Sequence, residues 1–589
     1  MDDVKNILII FASVAAVVGV AAAVQLLTSS LTKPLLPLPP SPKGRLPVLG
    51  HALAVGASPH ITFTEWSKQL GPIFSIQLVS RNWIVLNSAK VVRDLVDLRG
   101  SNYSDRHNNP LTDIISRNGE MYGFAKHGDY LRMWRRLTNN TISKSKLQAN
   151  YNHVFDCESR ELLAGLLKNG ARHDGVDMDD VTYVYTINVI LLILYNRRCA
   201  TSSDPLFQLI HSINNEFVAL SSDMILDSFP ILISLFADKK HRAIVLQDSL
   251  ILYVGNLVEE VRQKLANGEQ IPCVAAEFLK MQEKEGITDM AVIQTCGGFT
   301  LAGTDTSAYL LMNSSIILAN HPEIQDRVHD ELLATVGPDR LPEYSDAEKT
   351  PYVEAFLLEM LRFRPPRFFG IPHSNVKDDI YEGYRIPAGS SIVLNMHALH
   401  FDPVLFPNPE RFEPERWLSE DGKSCDSSKH HWAFGAGRRI CPGQFVVEQS
   451  LLTTLARLIW AFKIEFALSP QGTPVPVPVT RPDRSTTKPD HFRLRFVPRR
   501  ENIKDVVGLC MASATLLKEI IYPAYRTALV GAVNLTGDNY ATCYDRYQVN
   551  DRGREADVEE IQRLSTLWKG RHADKNTLQN SLLPDFKPA

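Results

Sequence analysis

The chain consists mostly of long segments with helical periodicity, with a few short β-rich segments between them. Two apolar segments, PIFSIQLV (72–79) and NWIVLNS (82–88), are separated by a short polar turn and predict a pair of strands. A second strand-and-loop zone is predicted over about 376–430. Helices are predicted over 151–168, 240–266, 287–320, 350–364 and 442–461. The pattern therefore predicts a mainly α fold with small β-sheets, an α+β architecture.

The most apolar segment lies near the amino end, from Ile7 to Leu27. Its 21 residues include no charged side chain, and a helix of that length crosses a bilayer about 30 Å thick. A cleaved signal peptide is the alternative, but no basic cluster precedes the segment. Lys33, Lys43 and Arg45 follow it, so the positive-inside rule places the rest of the chain in the cytosol. We expect a single-pass membrane anchor over residues 1–32.

Three further parts follow the predicted anchor. Residues 33–44, KPLLPLPPSPKG, contain five prolines, which favour an extended and stiff hinge. The main body is predicted over 45–500. Residues 501–589 differ in composition, and their apolar part (506–533) is interrupted by charged residues and a proline. We expect no second membrane span there and assign this extension no role.

Composition and charge narrow the class of protein. A hydrophobic fraction of 44% and a charged fraction of 22% are those of an ordinary globular protein. A net charge of -3 gives no reason to expect nucleic-acid binding. The eight cysteines are scattered without a CxxC pair, which predicts neither a disulfide framework nor a thiolate zinc site. This usage suits a reducing compartment.

One cysteine lies in an unusual context, HWAFGAGRRICPGQF (431–445). The stretch lacks the Gly-Lys-Ser/Thr or GxGxxG pattern of a phosphate-binding loop. Its glycines allow a tight turn that brings backbone amides towards the sulfur of Cys441, and a following helix N-terminus would lower the thiol pKa. These features favour a metal ligand held as thiolate, with a buried structural cysteine as the alternative.

The motif Phe434-x-x-Gly437-x-Arg439-x-Cys441-x-Gly443 resembles the haem-binding signature of the cytochrome P450 family. This resemblance implies that Cys441 is the axial ligand of the iron in haem b. It also implies that Arg439 pairs with a haem propionate and that Phe434 and Gly437 shape the ligand loop. The fold implied is that of the cytochrome P450 family, behind an N-terminal transmembrane helix.

A second motif, Glu359-x-x-Arg362, lies in a predicted helix, and its spacing puts both side chains on one face. In the family, this pair is joined by an arginine from a later loop, and PERW (414–417) supplies Arg416. An exposed ion pair is the alternative. The resemblance implies a buried network that holds the haem loop in place, in which removal of one member leaves an uncompensated charge.

A third motif lies in LAGTDTS, where Ala302-Gly303-x-Asp305-Thr306 resembles the oxygen-activation motif of the family. A glycine and several hydroxyl residues lower helix propensity, which predicts a local distortion where a ligand approaches. The resemblance implies that Ala302 and Gly303 lie beside the cofactor, that Thr306 hydrogen-bonds the bound dioxygen and that Asp305 relays protons. An ordinary core threonine beside a solvent-facing aspartate is the alternative.

The sequence departs from the family pattern in one place. The family's Trp-x-x-x-Arg motif aligns with Leu131 and Arg135 in GDYLRMWRRL, while Trp134 is three residues out of register. We therefore expect Arg135 to contact a propionate but no tryptophan contact. His373, in GIPHS, resembles a further propionate partner, with a solvent-exposed strand-end histidine as the alternative.

The resemblance covers about residues 35–500 and implies a monooxygenase that inserts one oxygen atom of O2 into a lipophilic small molecule. An O2-independent isomerase or dehydratase on the same fold and a non-catalytic haem protein are the alternatives. An apolar pocket is expected from NGEMYGF (118–124), CGGFTLAG (296–303) and RFFGIP (367–372), with Phe368 and Phe369 in its wall. The apolar anchor, the proline-rich hinge and the AGTDTS motif are similar to those of fungal enzymes of secondary metabolism.

The chain shows no nucleotide-binding fingerprint of its own. NADPH and flavins are therefore expected to act through a separate NADPH–cytochrome P450 reductase, with cytochrome b5 as a second candidate partner. The anchor and hinge are similar to those of endoplasmic-reticulum members with a cytosolic catalytic domain. A basic cluster is expected to face the acidic partner, with a solvated helix face as the alternative. Its members are Arg132, Arg135, Arg136, Lys144 and Lys146.

Overall fold

The computed structural model describes residues 36–508 apart from 80, 224–225, 228–232, 427 and 480–485. The chain divides into two units, residues 1–526 and 527–589, and every described residue belongs to the first. The predicted anchor over 7–27 and most of the extension beyond 500 lie outside the described residues.

Helices make up most of the described chain. They are α1 (Ala52–Val55), α2 (Pro59–Leu70), α3 (Ala89–Val92), α4 (Pro110–Ile115), α5 (Asp129–Ile142), α6 (Lys144–Asn150), α7 (Asn152–Asn169), α8 (Met178–Tyr195), α9 (Pro205–Ser221), α10 (Ala237–Ala266), α11 (Val274–Glu285), α12 (Asp289–Asn320), α13 (Pro322–Val336), α14 (Pro351–Phe363), α15 (Met396–His400) and α16 (Gln444–Ala461). A π-helical turn (Arg93–Leu98) and short 3₁₀ turns (Tyr122–Phe124, Tyr344–Lys349, Pro414–Trp417, Gly437–Arg439) complete the set.

The strands form small sheets at the edges of the helical body. They are β1 (Ile73–Leu78), β2 (Arg81–Leu86), β3 (Asp105–Arg106), β4 (Val176–Asp177), β5 (His373–Ser374), β6 (Asp379–Tyr381), β7 (Tyr384–Ile386), β8 (Ser391–Leu394), β9 (Phe462–Phe466) and β10 (Arg493–Pro498). The largest sheet has the order β1-β2-β8-β5-β3, and the others are β4-β10-β9 and β6-β7. Antiparallel pairing of β1 with β2, from Ile73 opposite Leu86, confirms the predicted strand pair.

The predicted helices are confirmed to within a few residues of their ends. The structure adds α15 inside the predicted strand-and-loop zone. This helix begins where the Asn395 side chain accepts a hydrogen bond from the Ala398 amide, a local cap within a β-rich segment. The fold is mainly α with small sheets, as the periodicity predicts.

The 32-residue helix α12 lies at the centre of the body and is buried along most of its length. A helix buried on all sides shows no apolar stripe, because it has no solvent-facing side. At Gly303 an added Cβ would collide with the Ile190 side chain, so the glycine allows α8 to pack closely against α12. Among the described residues α8 is the one helix long and apolar enough to span a membrane, but 78% of it is buried inside the protein. It is a core helix.

The two ends of the described chain are attached to the body. The carbonyl groups of Pro39 and Pro40 accept hydrogen bonds from the Ser75 hydroxyl and amide, each at 2.7 Å. The segment 36–44 contains no helix or strand, as its prolines predict. At the other end, Ile503 and Val507 are buried. The first residues past 500 therefore pack against the helical body.

Candidate functional site

The loop that carries Cys441 is shaped by glycines. Gly437 has a φ of 63°, and an added Cβ there would collide with the carbonyl of Val96 in the π-helical turn. The Cys441 amide donates to the Phe434 carbonyl at 2.8 Å, which closes the loop. The next helix, α16, begins at Gln444, so the cysteine lies just before a helix N-terminus. Phe434 and Gly437 thus fix the position from which Cys441 projects.

The electrostatic environment of the Cys441 thiol combines opposing effects. Burial raises its pKa, whereas the backbone N–H groups of Gly443 and Gln444 and the charge of Arg135 lower it. The net direction is upward, so the expected lowering of the pKa is wrong for the protein alone. The physical reason is that desolvation of a thiolate outweighs two amide hydrogen bonds. A bound metal cation reverses this balance, because it deprotonates a coordinating thiol.

Arg439 lies beside this loop, and within the described chain its hydrogen bonds go to neutral carbonyl groups. Its Nε donates to the Ser104 carbonyl at 2.9 Å, and its Nη2 donates to the Ala125 carbonyl. Burial lowers the pKa of its guanidinium to about 10. The side chain is thus held in place by the backbone, and no carboxylate among the described residues forms an ion pair with it.

Arg106 in β3 is a second arginine held by backbone carbonyls, and no sequence motif singles it out. Its Nε donates to the Gly123 carbonyl at 2.8 Å and its Nη1 to the Ile371 carbonyl at 2.7 Å. Burial lowers the pKa of Arg106 well below its ordinary value, and the charge of Arg439 lowers it further. Two interior guanidinium groups therefore repel each other.

Arg135 of α5 completes an arginine cluster, which we define as Arg106, Arg135 and Arg439. It donates to the Ile440 carbonyl next to the cysteine and to the Tyr122 hydroxyl, the latter at 3.3 Å. Within the described part of the chain, no carboxylate lies in ion-pair range of any of the three. Arg106 is buried and the other two are partly buried. Cations withdrawn from water are expensive without a partner, so the cluster fits an anionic ligand.

His373 of β5 lies next to the arginine cluster. Its Nδ1 is 3.0 Å from the Tyr103 carbonyl, so the hydrogen is assigned to Nδ1. Burial, followed by the charge of Arg106, lowers the pKa of His373 to about 3. The ring is therefore buried, not solvent-exposed, and neutral. A nearby anion would favour protonation of Nε2 and provide it with an acceptor.

The structure brings together the three predicted members of the ionic network. Arg362 donates to both Glu359 oxygens, at 2.8 and 2.7 Å, and both side chains are fully buried. Arg416 adds a bond to Glu359 at 3.1 Å. The Trp417 indole donates to the same carboxylate at 2.8 Å, a contact that the motif spacing did not predict. The Glu359 carboxylate thus accepts hydrogen bonds from Arg362, Arg416 and Trp417.

A further contact ties this network towards the cysteine loop. Arg362 Nη1 donates to the His400 carbonyl at 2.8 Å. His400 Nε2 in turn accepts a hydrogen bond from the Trp432 amide at 2.8 Å. Because Trp432 lies in the stretch that leads into the Cys441 loop, the network positions that loop through two hydrogen bonds.

The middle of α12 presents a short uncovered face. Ala302 is exposed, and Gly303 and Thr306 are partly exposed, within an otherwise buried helix. The helix is continuous here, so the expected distortion is wrong; the Thr306 hydroxyl instead donates back to the Ala302 carbonyl at 2.7 Å. Asp305 is buried, accepts from the Asn214 amide at 3.2 Å, and has its pKa raised by burial. A flat ligand can pack against this uncovered face.

Leu131 occupies the position where the family has tryptophan. It lines a cleft of about 470 Å³, whereas Trp134 points elsewhere and packs edge-on against Phe278 at 5.0 Å. The cleft is strongly basic. Its other lining residues are His127, Arg132, Arg135, Arg136, Asn139, Asn140 and Arg438.

The basic cluster predicted on α5 and α6 is partly neutralised. Arg136 forms an ion pair with Glu285 at 2.6 Å. Lys144 and Lys146 are exposed at the start of α6. Basic groups therefore remain available at this surface, next to the cleft lined by Leu131.

The aromatic residues predicted to line the substrate pocket are placed differently. Phe368 is buried and stacks on His60 at 4.5 Å, so its predicted place in the pocket wall is wrong. Phe369 packs against Phe63 at 5.4 Å, beside the sheet. Phe369 belongs to the packing of β1 and β2, and Phe368 lies between His60 and His397. Apolar character alone could not distinguish these places from a pocket wall.

Comparison with known proteins identifies the family. The cytochrome P450 family model matches residues 39–495. A cytochrome P450 monooxygenase of Armillaria gallica is 30% identical over 494 residues, covering 81% of this chain and 93% of that protein. The monooxygenase fogE of Aspergillus ruber is 30% identical (80% of this chain, 88% of that protein), and verL of Clonostachys rogersoniana is 33% identical (72% and 80%). The chain belongs to the cytochrome P450 family of haem-thiolate monooxygenases.

Proposed function

We propose that this cytochrome P450 inserts one oxygen atom of O2 into a lipophilic small molecule of secondary metabolism, while the other oxygen atom becomes water. The observation that carries the proposal is the arginine cluster. Its three guanidinium groups converge on the Cys441 loop and lack acidic partners among the described residues. A ligand that combines two carboxylates with a thiolate-binding metal matches this arrangement.

Haem b meets these requirements. Cys441 would bind the iron through its sulfur, and Arg106, Arg135, Arg439 and His373 would hold the propionates. The uncovered face of α12, at Ala302 and Gly303, would lie against the ring. When bound, a thiolate-ligated haem supplies the binding of O2 and the cleavage of its O–O bond.

The chain's own residues can supply protons at this site. Asp305 is buried with a raised pKa, so it can hold a proton in the interior. The neighbouring Thr306 hydroxyl, at 2.7 Å from the Ala302 carbonyl, can turn from that carbonyl to pass a proton on. We assign Asp305 and Thr306 as the acid and hydroxyl of proton delivery.

The substrate class is proposed from the aromatic side chains around α12. Tyr122 and Phe299 meet edge-on at 5.8 Å, and Phe124 and Phe217 do so at 6.2 Å. These rings join the 3₁₀ turn at 122–124 to α9 and α12 with apolar surface, which suits a lipophilic substrate. The fungal origin of the relatives supports a place in secondary metabolism.

Partners and location follow from the same proposal. Electrons would come from a flavin-containing NADPH–cytochrome P450 reductase, with cytochrome b5 as a second donor, docking at the basic surface near Lys144 and Lys146. The apolar segment 7–27 would anchor the protein in the endoplasmic reticulum with the body in the cytosol.

The test is spectroscopic and chemical. Reduced, carbon-monoxide-bound protein is expected to show the red-shifted absorption band of thiolate-ligated haem, and Cys441→Ser is expected to lose it. With reductase, NADPH and isotopically labelled O2, the product is expected to carry one labelled oxygen atom. Retention of the band by Cys441→Ser would refute the ligand assignment, and product formed without O2 would refute the monooxygenase.

A further inference from the structure

We propose that Tyr183 and His211 carry protons from the protein surface beside Asp179 and Lys488 to the buried carboxyl group of Asp305. This inference rests on the proposed role of Asp305 in proton delivery. Tyr183 and His211 act through Asp305 and touch neither substrate nor cofactor, so they are positioning residues for proton supply.

Asp305 is separated from solvent by two helices, α8 and α9. Its carboxylate accepts from the Asn214 amide of α9 at 3.2 Å. The hydroxyl of Tyr183, on α8, is close enough to oppose the effect of burial on the pKa of Asp305. A buried acid that gives up protons must be resupplied, and its surroundings on α8 and α9 are polar.

Tyr183 is the first group outward from Asp305. Its side chain is buried, and its hydroxyl has no partner at full hydrogen-bonding distance among the residues described. The same holds for Asn214 Oδ1. Buried polar atoms of this kind are usually satisfied by ordered water, which needs several polar partners. Tyr183, Asn214 and Asp305 together provide several such polar partners.

His211 is the next group outward. Its ring meets the Tyr183 ring edge-on at 4.5 Å, and it stacks on Phe207 at 6.0 Å. Its Nδ1 is buried and has no hydrogen-bond partner within the described chain. The residue itself is half-buried, so it links the interior to the surface.

Charged residues lie at the solvent-exposed end of the proposed proton route. Burial and then the charge of Lys488 lower the pKa of His211, whereas Asp305, Asp179 and Asp180 oppose this lowering. Lys488 lies 4.0 Å from Asp179 and 5.5 Å from the centre of the Tyr183 ring. Asp179 and Lys488 are each about one-third exposed, at 32% and 30%, so they are open to solvent protons. Arg367 acts on Asp305 from its inner side.

Each transfer is balanced. The Tyr183 hydroxyl gives its proton to an Asp305 oxygen while its own oxygen takes a proton from a His211 ring that solvent has transiently protonated. His211 is then reprotonated from solvent. Burial raises the pKa of Tyr183 far above neutral, so no tyrosinate accumulates and the two transfers occur together. One proton enters for each proton delivered, and no electron moves.

Tyr185 provides a matched control on the same helix. It is equally buried, but its hydroxyl donates to the Ser450 carbonyl at 3.2 Å and accepts from the Thr454 hydroxyl at 2.6 Å. Both partners are on α16, away from Asp305. Tyr183→Phe and Tyr185→Phe therefore remove the same atom from the same helix, one on the proposed route and one off it.

The experiment uses the full-length haem-loaded protein with its reductase. Tyr183→Phe and His211→Phe are expected to lower NADPH-driven turnover about tenfold or more, in line with loss of one proton-transfer group. The solvent deuterium isotope effect is expected to rise. Turnover driven by hydrogen peroxide, which brings its own protons, is expected to stay unchanged. Tyr185→Phe is expected to match wild type in all three measurements.

A second readout does not depend on turnover. Infrared spectroscopy detects the C=O stretch of protonated Asp305, identified by its absence in Asp305→Asn. After mixing with D2O, the shift of this band is expected to slow in Tyr183→Phe and not in Tyr185→Phe. Equal exchange in the two variants, or equal isotope effects, would overturn the route through Tyr183.

The outcomes separate this inference from the proposal on which it rests. If Asp305→Asn itself leaves NADPH-driven turnover unchanged, the role of Asp305 is wrong. If Asp305→Asn is impaired while Tyr183→Phe and His211→Phe are not, Asp305 keeps its role and the supply route through Tyr183 and His211 is wrong.

Discussion

Two groups of interior arginines in this protein are balanced in opposite ways. Arg362 and Arg416 share the carboxylate of Glu359, with bonds of 2.7 to 3.1 Å. Arg106 and Arg439 reach only backbone carbonyls and repel each other. Both groups lie near the Cys441 loop. Within the described chain, a carboxylate pairs with the arginines of the first group and with none of the second.

The difference separates a structural network from a binding site. A cation paired with a buried acid holds segments together, and its removal leaves the acid uncompensated. A cation held by neutral carbonyls is fixed in position while its charge remains available to a ligand. We therefore propose that the Glu359 network holds the loop and that the arginine cluster holds the haem carboxylates.

The largest expected effect comes from breaking the complete network. Arg362→Met leaves Glu359 buried without its main partner, so the free energy of unfolding is expected to fall by about 3–5 kcal/mol. Urea unfolding followed by circular dichroism measures this change.

A matched control is the exposed pair of Arg242 and Glu216, which has the same two-bond geometry at 2.7 and 2.9 Å. Arg242→Met is expected to cost less than about 1 kcal/mol, because solvent screens an exposed pair. If Arg362→Met and Arg242→Met lower the free energy of unfolding equally, burial does not strengthen the Glu359 network. The contrast between this network and the arginine cluster would then be wrong.

A smaller effect is expected from pH, through His373 beside the arginine cluster. Its folded pKa of about 3 lies below the ordinary value, so the unfolded chain takes up the proton first. Stability from this group is complete above about pH 6.5 and is lost, by up to about 1.4 kcal/mol per pH unit, as the pH falls towards 3. Free energies of unfolding at several pH values measure the slope.

Haem loading distinguishes His373 from His431, whose pKa burial also lowers to about 3. Anionic propionates would raise the pKa of His373 and flatten its part of the slope. The slope removed by His373→Gln is therefore expected to shrink when haem is bound, while that removed by His431→Gln stays constant. If His373→Gln removes the same pH slope with and without haem, the placement of His373 at the propionates is wrong.

The smallest expected effect concerns the cleft at Leu131. Leu131→Trp places an indole N–H where the family has one, within a cleft of about 470 Å³ that can accept the ring. One added hydrogen bond is worth about 1 kcal/mol, so haem loss to a scavenging apoprotein is expected to slow about fivefold. Leu131→Phe, which adds a ring without a donor, is the control. Equal rates for the two variants would place the propionates away from Leu131.

Local motifs were readable from the sequence, whereas contacts between distant segments were not. The Cys441 loop is specified by neighbouring glycines and arginines, and the pair of Glu359 and Arg362 by helical spacing. Arg106 carried no such signal, because the carbonyls that hold it belong to residues 123 and 371. A lone arginine in a short strand looks like any surface cation.

The predictions that proved wrong also depend on contacts between distant segments. Phe368 is as apolar as a pocket residue, but its ring is buried against His60 and His397. The Cys441 amides were visible as a pattern, whereas the burial that outweighs them is a property of the assembled fold. The continuous α12 shows that tertiary packing overrides the weak propensity of AGTDT.

The central claim is that Arg106 and Arg439 are balanced by the two carboxylates of haem. The most direct test compares the binding of haem with that of its dimethyl ester, which lacks both charges. Wild type is expected to favour haem by about 30-fold or more, Arg439→Met to lose most of that preference and Arg362→Met to keep it. An Arg439→Met variant that still discriminates as strongly as wild type would contradict the account.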